Sequence, residues 1–218
     1  MKIFSLSILL ICVLLCLSGC NSERKNAAKA MELYNKGMES ASQGNYKEAV
    51  TSYDEAIQMN PKFAQAYCAE GTTLVKLGKN KEAIDFCDNA IKIDSEIAEA
   101  WFWKGYAFDN LGDYQKAITF YNEAIKINPE SVETLINKAF ALSKISKYQD
   151  AIASCDAVIK INPKIVKVWT IKGVDLLLIK KYNEALACFD KAIELEPDPY
   201  KAEQLEGLRQ SILKKTGR

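Results

Sequence analysis

"DYQKAITFYNEAIKINP", residues 113–129, decides the fold. Tyr114, Ala117, Ile118, Tyr121, Ala124 and Ile125 recur at steps of three and four, the spacing that gathers apolar side chains on one face of an α-helix. Asp113, just ahead of the stripe, is placed to cap the helix's free amides. Pro129 closes it, because proline lacks the N–H that would continue the ladder. Outward from this stretch the same pattern returns as "NYKEAVTSYDEAIQMNP" (45–61), "NKEAIDFCDNAIKIDS" (80–95), "KYQDAIASCDAVIKINP" (147–163) and "KYNEALACFDKAIELEP" (181–197), at a constant period of 34 residues.

The segments between these strings repeat as well. A large residue stands near each start, at Leu33, Tyr67, Trp101, Leu135 and Trp169, and four residues later comes Gly37, Gly71, Gly105, Ala139 or Gly173. Ala49, Ala83, Ala117, Ala151 and Ala185 hold one further position without exception. Alanine recurs at Ala56, Ala90, Ala124 and Ala192, with Val158 departing, and Pro61, Pro129, Pro163 and Pro197 end units where Ser95 once replaces proline. This pattern resembles the tetratricopeptide repeat (TPR), a helix-turn-helix unit of the same length. The resemblance implies an all-α fold, a right-handed α-solenoid of five units (30–63, 64–97, 98–131, 132–165 and 166–199). One such hairpin cannot bury its apolar face alone, so neighbours stack and share a core. Residues 200–218, with Leu205, Leu208 and Ile212 on one helical face, read as a capping helix, giving eleven helices and no strands. Where the family signature has Leu, the chain has Lys36, Glu70, Lys104, Lys138 and Lys172, whose stems are expected to lie along the helices with their charged ends in water.

The resemblance also implies a partner site on the face lined by first helices, where the family usually holds peptides. In the third unit it sends Trp101, Gly105 and Phe108 to the core and Glu99, Phe102, Trp103, Tyr106, Asp109 and Asn110 to the groove. Neighbouring units add Tyr34 and Met38, Cys68 and Thr72, and Ile136 and Phe140, edged by Glu133, Lys76 and Lys144. Exposed apolar strips mark interaction sites, and aromatics supply many binding hot spots. One subgroup of the family grips a C-terminal carboxylate with basic and amide side chains. The corresponding places here hold Tyr34, Met38, Ala69, Glu99 and Trp103, so apolar and basic partner segments are expected instead.

The opening "MKIFSLSILLICVLLCLSGC" has one basic residue, an apolar run from Ile3 to Leu17 and small residues before Cys20, the layout of a secretory signal. Leu17-Ser18-Gly19-Cys20 resembles the lipobox of prokaryotic lipoproteins. That implies a signal peptide over 1–19, diacylglycerol on Cys20 and a membrane-tethered, extracytoplasmic body at the cell membrane or envelope. Two acyl chains hold a protein at a membrane where one does so only marginally. An uncleaved anchor is the alternative, although the run is short of the roughly 20 residues that span a bilayer. Residues 20–29 read as a lipidated start and short polar tether.

Composition narrows the chemistry. With 218 residues, 49% apolar and 26% charged, the chain has room for one or two folded domains. Its 29 basic and 28 acidic side chains leave a formal charge of +1, with no electrostatic drive toward nucleic acid. Histidine is absent, which removes the commonest general base and nitrogen ligand. Cys12 and Cys16 fall in the signal. Cys68, Cys87, Cys155 and Cys188 make no C-x-x-C pair and read as buried thiols, with a disulfide left open. No metal or cofactor is implied. Glu99 and Asp109 on one helix lie roughly 15 Å apart by its rise, too far for paired carboxylate catalysis, and no phosphate-binding glycine loop or nucleophile elbow is present. The sequence therefore predicts no enzyme but a protein-binding scaffold, or alternatively a structural spacer or oligomeric component of an envelope assembly.

Overall fold

The computed structural model describes residues 23–217; the segment expected to be a signal peptide, and Cys20, lie outside them. All regular structure among the described residues is helical. The helices are α1 (23–42), α2 (Tyr46–Met59), α3 (Ala64–Lys76), α4 (Asn80–Ile93), α5 (Ala98–Asn110), α6 (Tyr114–Ile127), α7 (Val132–Lys144), α8 (Tyr148–Ile161), α9 (Val166–Leu178), α10 (Tyr182–Leu195) and α11 (Pro199–Thr216). From α3 onward the odd helices of the repeats begin every 34 residues, and so do the even helices from α2 to α10. The fold is thus an all-α, TPR-like solenoid. Residues 23–29, expected as a tether, are helical and exposed.

Local chemistry sets the boundaries. The Asp113 carboxylate accepts the Lys116 N–H at 3.1 Å and opens α6, and Asp198 accepts from the Tyr200 N–H at 3.0 Å to open α11, whose first residue is Pro199. Between the two helices of a hairpin the chain turns through a left-handed residue: Gly44, Gly78 and Gly112 at φ of 80°, 77° and 81°, then Ser146 and Lys180 at 62° and 63°. The last two carry a Cβ into a conformation that favours glycine.

The chain divides into two compact units, up to Ser95 and from Glu96. In the first, Tyr53 of α2 is nearly inaccessible beneath Gly37, and Tyr34 packs on Tyr53 and Phe63 with ring centroids 5.8 and 5.1 Å away. Ala30, Ala56 and Ala66 allow close helix contact around them.

In the second unit each helix from α5 to α11 packs on the next, and the first helix α7 also meets the first helices α5 and α9 on either side. Three core clusters climb the stack, centred on Phe102 and Tyr121, on Leu135 and Val158, and on Leu176 and Phe189, the last closed by Leu205 and Ile212 of α11. Gly105 is required by packing: a Cβ there would lie 2.8 Å from the Tyr121 ring and 3.1 Å from the Ala117 carbonyl oxygen. On α11, Leu208 is 41% exposed, contrary to expectation. The inward arc runs through Leu205, Ile212 and the stem of Arg209, which pairs with Asp190 of α10.

The series Lys36, Glu70, Lys104, Lys138 and Lys172 departs most from expectation. Lys172 is half-buried and pairs with Asp156 of α8, the helix before it. Glu70, in the same register on α3, is 1% exposed rather than solvated, and its Oε2 has no partner. It lies beside Asp54 of α2, and burial followed by repulsion from Asp54 pushes its carboxyl up to about 8.

Candidate functional site

The inner face of the second unit is built from α5 and α7, with α9 beyond. On α5, Trp103 packs edge-on to both Phe102 and Tyr106, with centroids 5.1 and 5.5 Å away, and its indole N–H donates to Glu99 Oε1 at 3.3 Å. That bond fixes the indole and turns one carboxylate oxygen toward it. Below them opens a cleft of about 210 Å³ bounded by Glu99, Phe102, Trp103, Asn128, Ser131 and Glu133. An aromatic wall flanked by two carboxylates suits a side chain with an apolar stem and a cationic end.

Farther along, Phe140 of α7 is 38% exposed, with the Lys144 ammonium 4.9 Å from its ring centre. Ile136 is half-buried against the core. Leu178, in the register of Asn110 and Lys144 but on α9, is 53% exposed and extends the apolar strip. The expected groove omitted Leu178, although its repeat position was the available signal.

Two expected assignments are corrected. Phe102 is a core residue at 6% exposure that packs on Tyr121 and lines the cleft only with its small exposed remainder. Trp101 and Phe108 are not central core: both are half-buried and stack on Phe120, at 6.2 and 5.3 Å. Lys104 sits 4.0 Å from the centre of the same Phe120 ring. The reason is the position of Tyr121. Its ring lies against Gly105, so the residues flanking Gly105 toward that ring, Phe102 and Asp109, are drawn inward.

Asp109 accepts the Tyr121 hydroxyl hydrogen at 3.2 Å. Burial raises its carboxyl above the ordinary range, against the lowering effects of that hydrogen bond, Lys144 and Lys167. It is therefore committed to an internal contact. Tyr121 itself is pushed well above the usual phenol range, by burial first and then by Asp109.

The other predicted groove residues belong to the first unit. Tyr34 is held between Tyr53 and Phe63, whereas Met38 is 47% exposed. Cys68 is buried at 4%, a further departure from the groove reading after Phe102 and Asp109, and the Thr72 hydroxyl donates to its carbonyl oxygen. Cys87, Cys155 and Cys188 are also buried. Burial pushes the Cys155 thiol up to about 12, with the neighbouring Asp175 adding to the rise, which keeps it unreactive. Among the described residues no group of His, Cys, Asp or Glu is placed to hold a metal ion, and no helix is long and apolar enough to cross a membrane.

The family model described as the tetratricopeptide repeat protein 21 C-terminal ARM domain matches residues 60–172. TPR repeat models match residues 37–78 and 166–199. No curated protein matches the chain. Among solved structures it is similar to YrrB, described as a TPR protein with an unusual peptide-binding site, at 22% identity and TM-score 0.72, covering 86% of this chain and 97% of that one. It is also similar to MamA, at 21% identity and TM-score 0.71 over 79% and 94% of the two chains. A tetratricopeptide repeat protein from Parabacteroides merdae matches at 20% identity and TM-score 0.72, over 87% and 74%. At these identities the likeness is one of fold.

Proposed function

Because the chain belongs to the tetratricopeptide repeat family, we propose that it is a protein-interaction scaffold that receives an apolar segment bearing a basic side chain along the inner face of α5 and α7. The observation that carries this reading is the cleft in which Trp103 and Phe102 form an aromatic wall between Glu99 and Glu133. The basic side chain lays its stem on the Trp103 indole and its charge between the carboxylates, while apolar neighbours run over Tyr106, Phe140 and Leu178. The scaffold is tethered to a membrane through lipid on Cys20, a reading supported by the sequence Leu17-Ser18-Gly19-Cys20. Tethering raises the effective concentration of a captured partner at that surface without any new contact.

The test uses fluorescein-labelled hexapeptides of Leu, Phe and Ser that carry Lys, Gln or Glu at one place, with binding followed by anisotropy. The Lys peptide binds best. The double variant Trp103→Ala with Phe140→Ala loses binding while melting within a few degrees of the parent, and Glu99→Gln with Glu133→Gln removes the preference for Lys over Gln. Equal binding of the three peptides, or full binding by the aromatic double variant, rejects the site. In native membranes, Cys20→Ser releases the protein to the soluble fraction; retention there rejects lipid tethering.

A further inference from the structure

The outer side of the second unit has its own feature. A cleft of about 470 Å³ separates α6 from α8, with α7 as its floor. That is within the usual range of ligand sites. Its walls carry Gln115, Thr119 and Asn122 from α6, Lys138 from α7, Lys147 just ahead of α8 and Asp150 within it.

Lys138 occupies the register that Lys172 occupies one repeat later. Lys172 finds Asp156 on the preceding helix, and Arg209 of the capping helix finds Asp190 in the corresponding place on α10. In the preceding helix of Lys138 that place holds Asn122, where the other four repeats have Asp54, Asp88, Asp156 and Asp190. Among the described residues no carboxylate lies within ion-pair distance of the Lys138 ammonium. The electrostatics agree. Burial lowers Lys138 below the ordinary lysine value, with only partial compensation from Asp150. Lys172, also half-buried, is held above that value by Asp156. Repetition of the fold thus shows which group belongs beside Lys138, and an open cleft lies where that group is lacking.

We infer that this outer cleft binds a side-chain carboxylate of an acidic, extended segment of a partner protein, with Lys138 as its ammonium anchor. The incoming carboxylate takes the part that Asp156 plays for Lys172. The side-chain amides of Gln115 and Asn122 are donors along the α6 wall, where the Thr119 hydroxyl already donates to the Gln115 carbonyl oxygen, and Lys147 adds positive charge at the start of α8. Asp150, exposed on the far wall, opposes groups of higher negative charge and so favours a monoanion over phosphate. The inner-face site contributes no residue to this cleft, so the two are tested separately.

The probe is a fluorescein-labelled Gly-Glu-Ser-Glu-Gly peptide amide, followed by anisotropy at low ionic strength against the whole chain, with its Gln counterpart and inorganic phosphate as competitors. The Glu peptide binds saturably and the Gln peptide does not displace it. Asn122→Asp supplies the internal carboxylate, so it raises the melting temperature and weakens the Glu peptide about tenfold or more, as does Lys138→Met. Gln204→Glu, an equal charge change on α11, and the double variant Trp103→Ala with Phe140→Ala both leave binding unchanged. Failure of the Glu peptide to bind, equal binding of the Gln peptide, or unchanged affinity in Asn122→Asp overturns the proposal. Displacement by phosphate at concentrations matching the peptide overturns the assignment to a carboxylate.

Discussion

Glu70→Gln changes one atom and tests how the first unit holds a buried acid. Glu70 is 1% exposed, its Oε2 is unpartnered and Asp54 lies beside it, so its carboxyl is raised from 4.5 to about 8. The sign follows from proton linkage. The folded chain keeps a proton that the unfolded chain surrenders above about pH 4.5, so the fold loses stability as pH rises from there to about 8 and no further beyond. A tenfold change in proton affinity is worth about 1.4 kcal/mol, which sets a ceiling of about 5 kcal/mol on the loss across that window.

Glutamine has nearly the same shape and no charge. Glu70→Gln therefore matches the parent near pH 4 and exceeds it by several kcal/mol at pH 8. Urea unfolding followed by far-ultraviolet circular dichroism at intervals from pH 4 to 9 reads the difference, and hydrogen exchange in α2 and α3 assigns it to the first unit. Asp109 and Asp175 are raised too, chiefly by burial, but they are common to both proteins and cancel in the comparison. Parallel pH curves for parent and variant between 4.5 and 8 refute the reasoning. Glu70→Lys extends the test: a lysine there meets Asp54 as Lys172 meets Asp156, and the variant is more stable than the parent at pH 8.

The remaining predictions concern backbone and core. Lys180→Gly relieves a left-handed residue and adds up to about 1 kcal/mol, read as a rise of about 2 to 4 °C in melting temperature; Gly112→Ala moves stability the other way. Phe102→Ala empties a core position against Tyr121 and costs about 3 to 5 kcal/mol in urea unfolding. Trp101→Ala removes a half-exposed ring and costs on the order of 1 to 2 kcal/mol. The reverse order of those two costs contradicts the packing described for α5.

The second helices were legible in sequence because each packs one side inward: Tyr114, Ala117, Ile118, Tyr121 and Ala124 form one stripe, and four of the five are buried. A first helix such as α5 offers no such guide. It meets both α6 and α7, and its sequence AEAWFWKGYAFDN is apolar on several sides, so no single arc tells Phe102 from Trp101. Only the placement of the Tyr121 ring over Gly105 decides which aromatic turns inward. The outer cleft and the buried acid share a different cause. The seventh residue of one repeat meets the twenty-fifth of the repeat before it, a contact invisible to any reading of one unit at a time. Once that contact is known, the same two positions give opposite-charge attraction at Lys172 and Asp156, like-charge repulsion at Glu70 and Asp54, and a cation without its anion at Lys138 and Asn122. A repeat array can carry these three solutions side by side because each junction contributes its own interface energy, so one junction can keep its cation open to a ligand while its neighbours hold the stack.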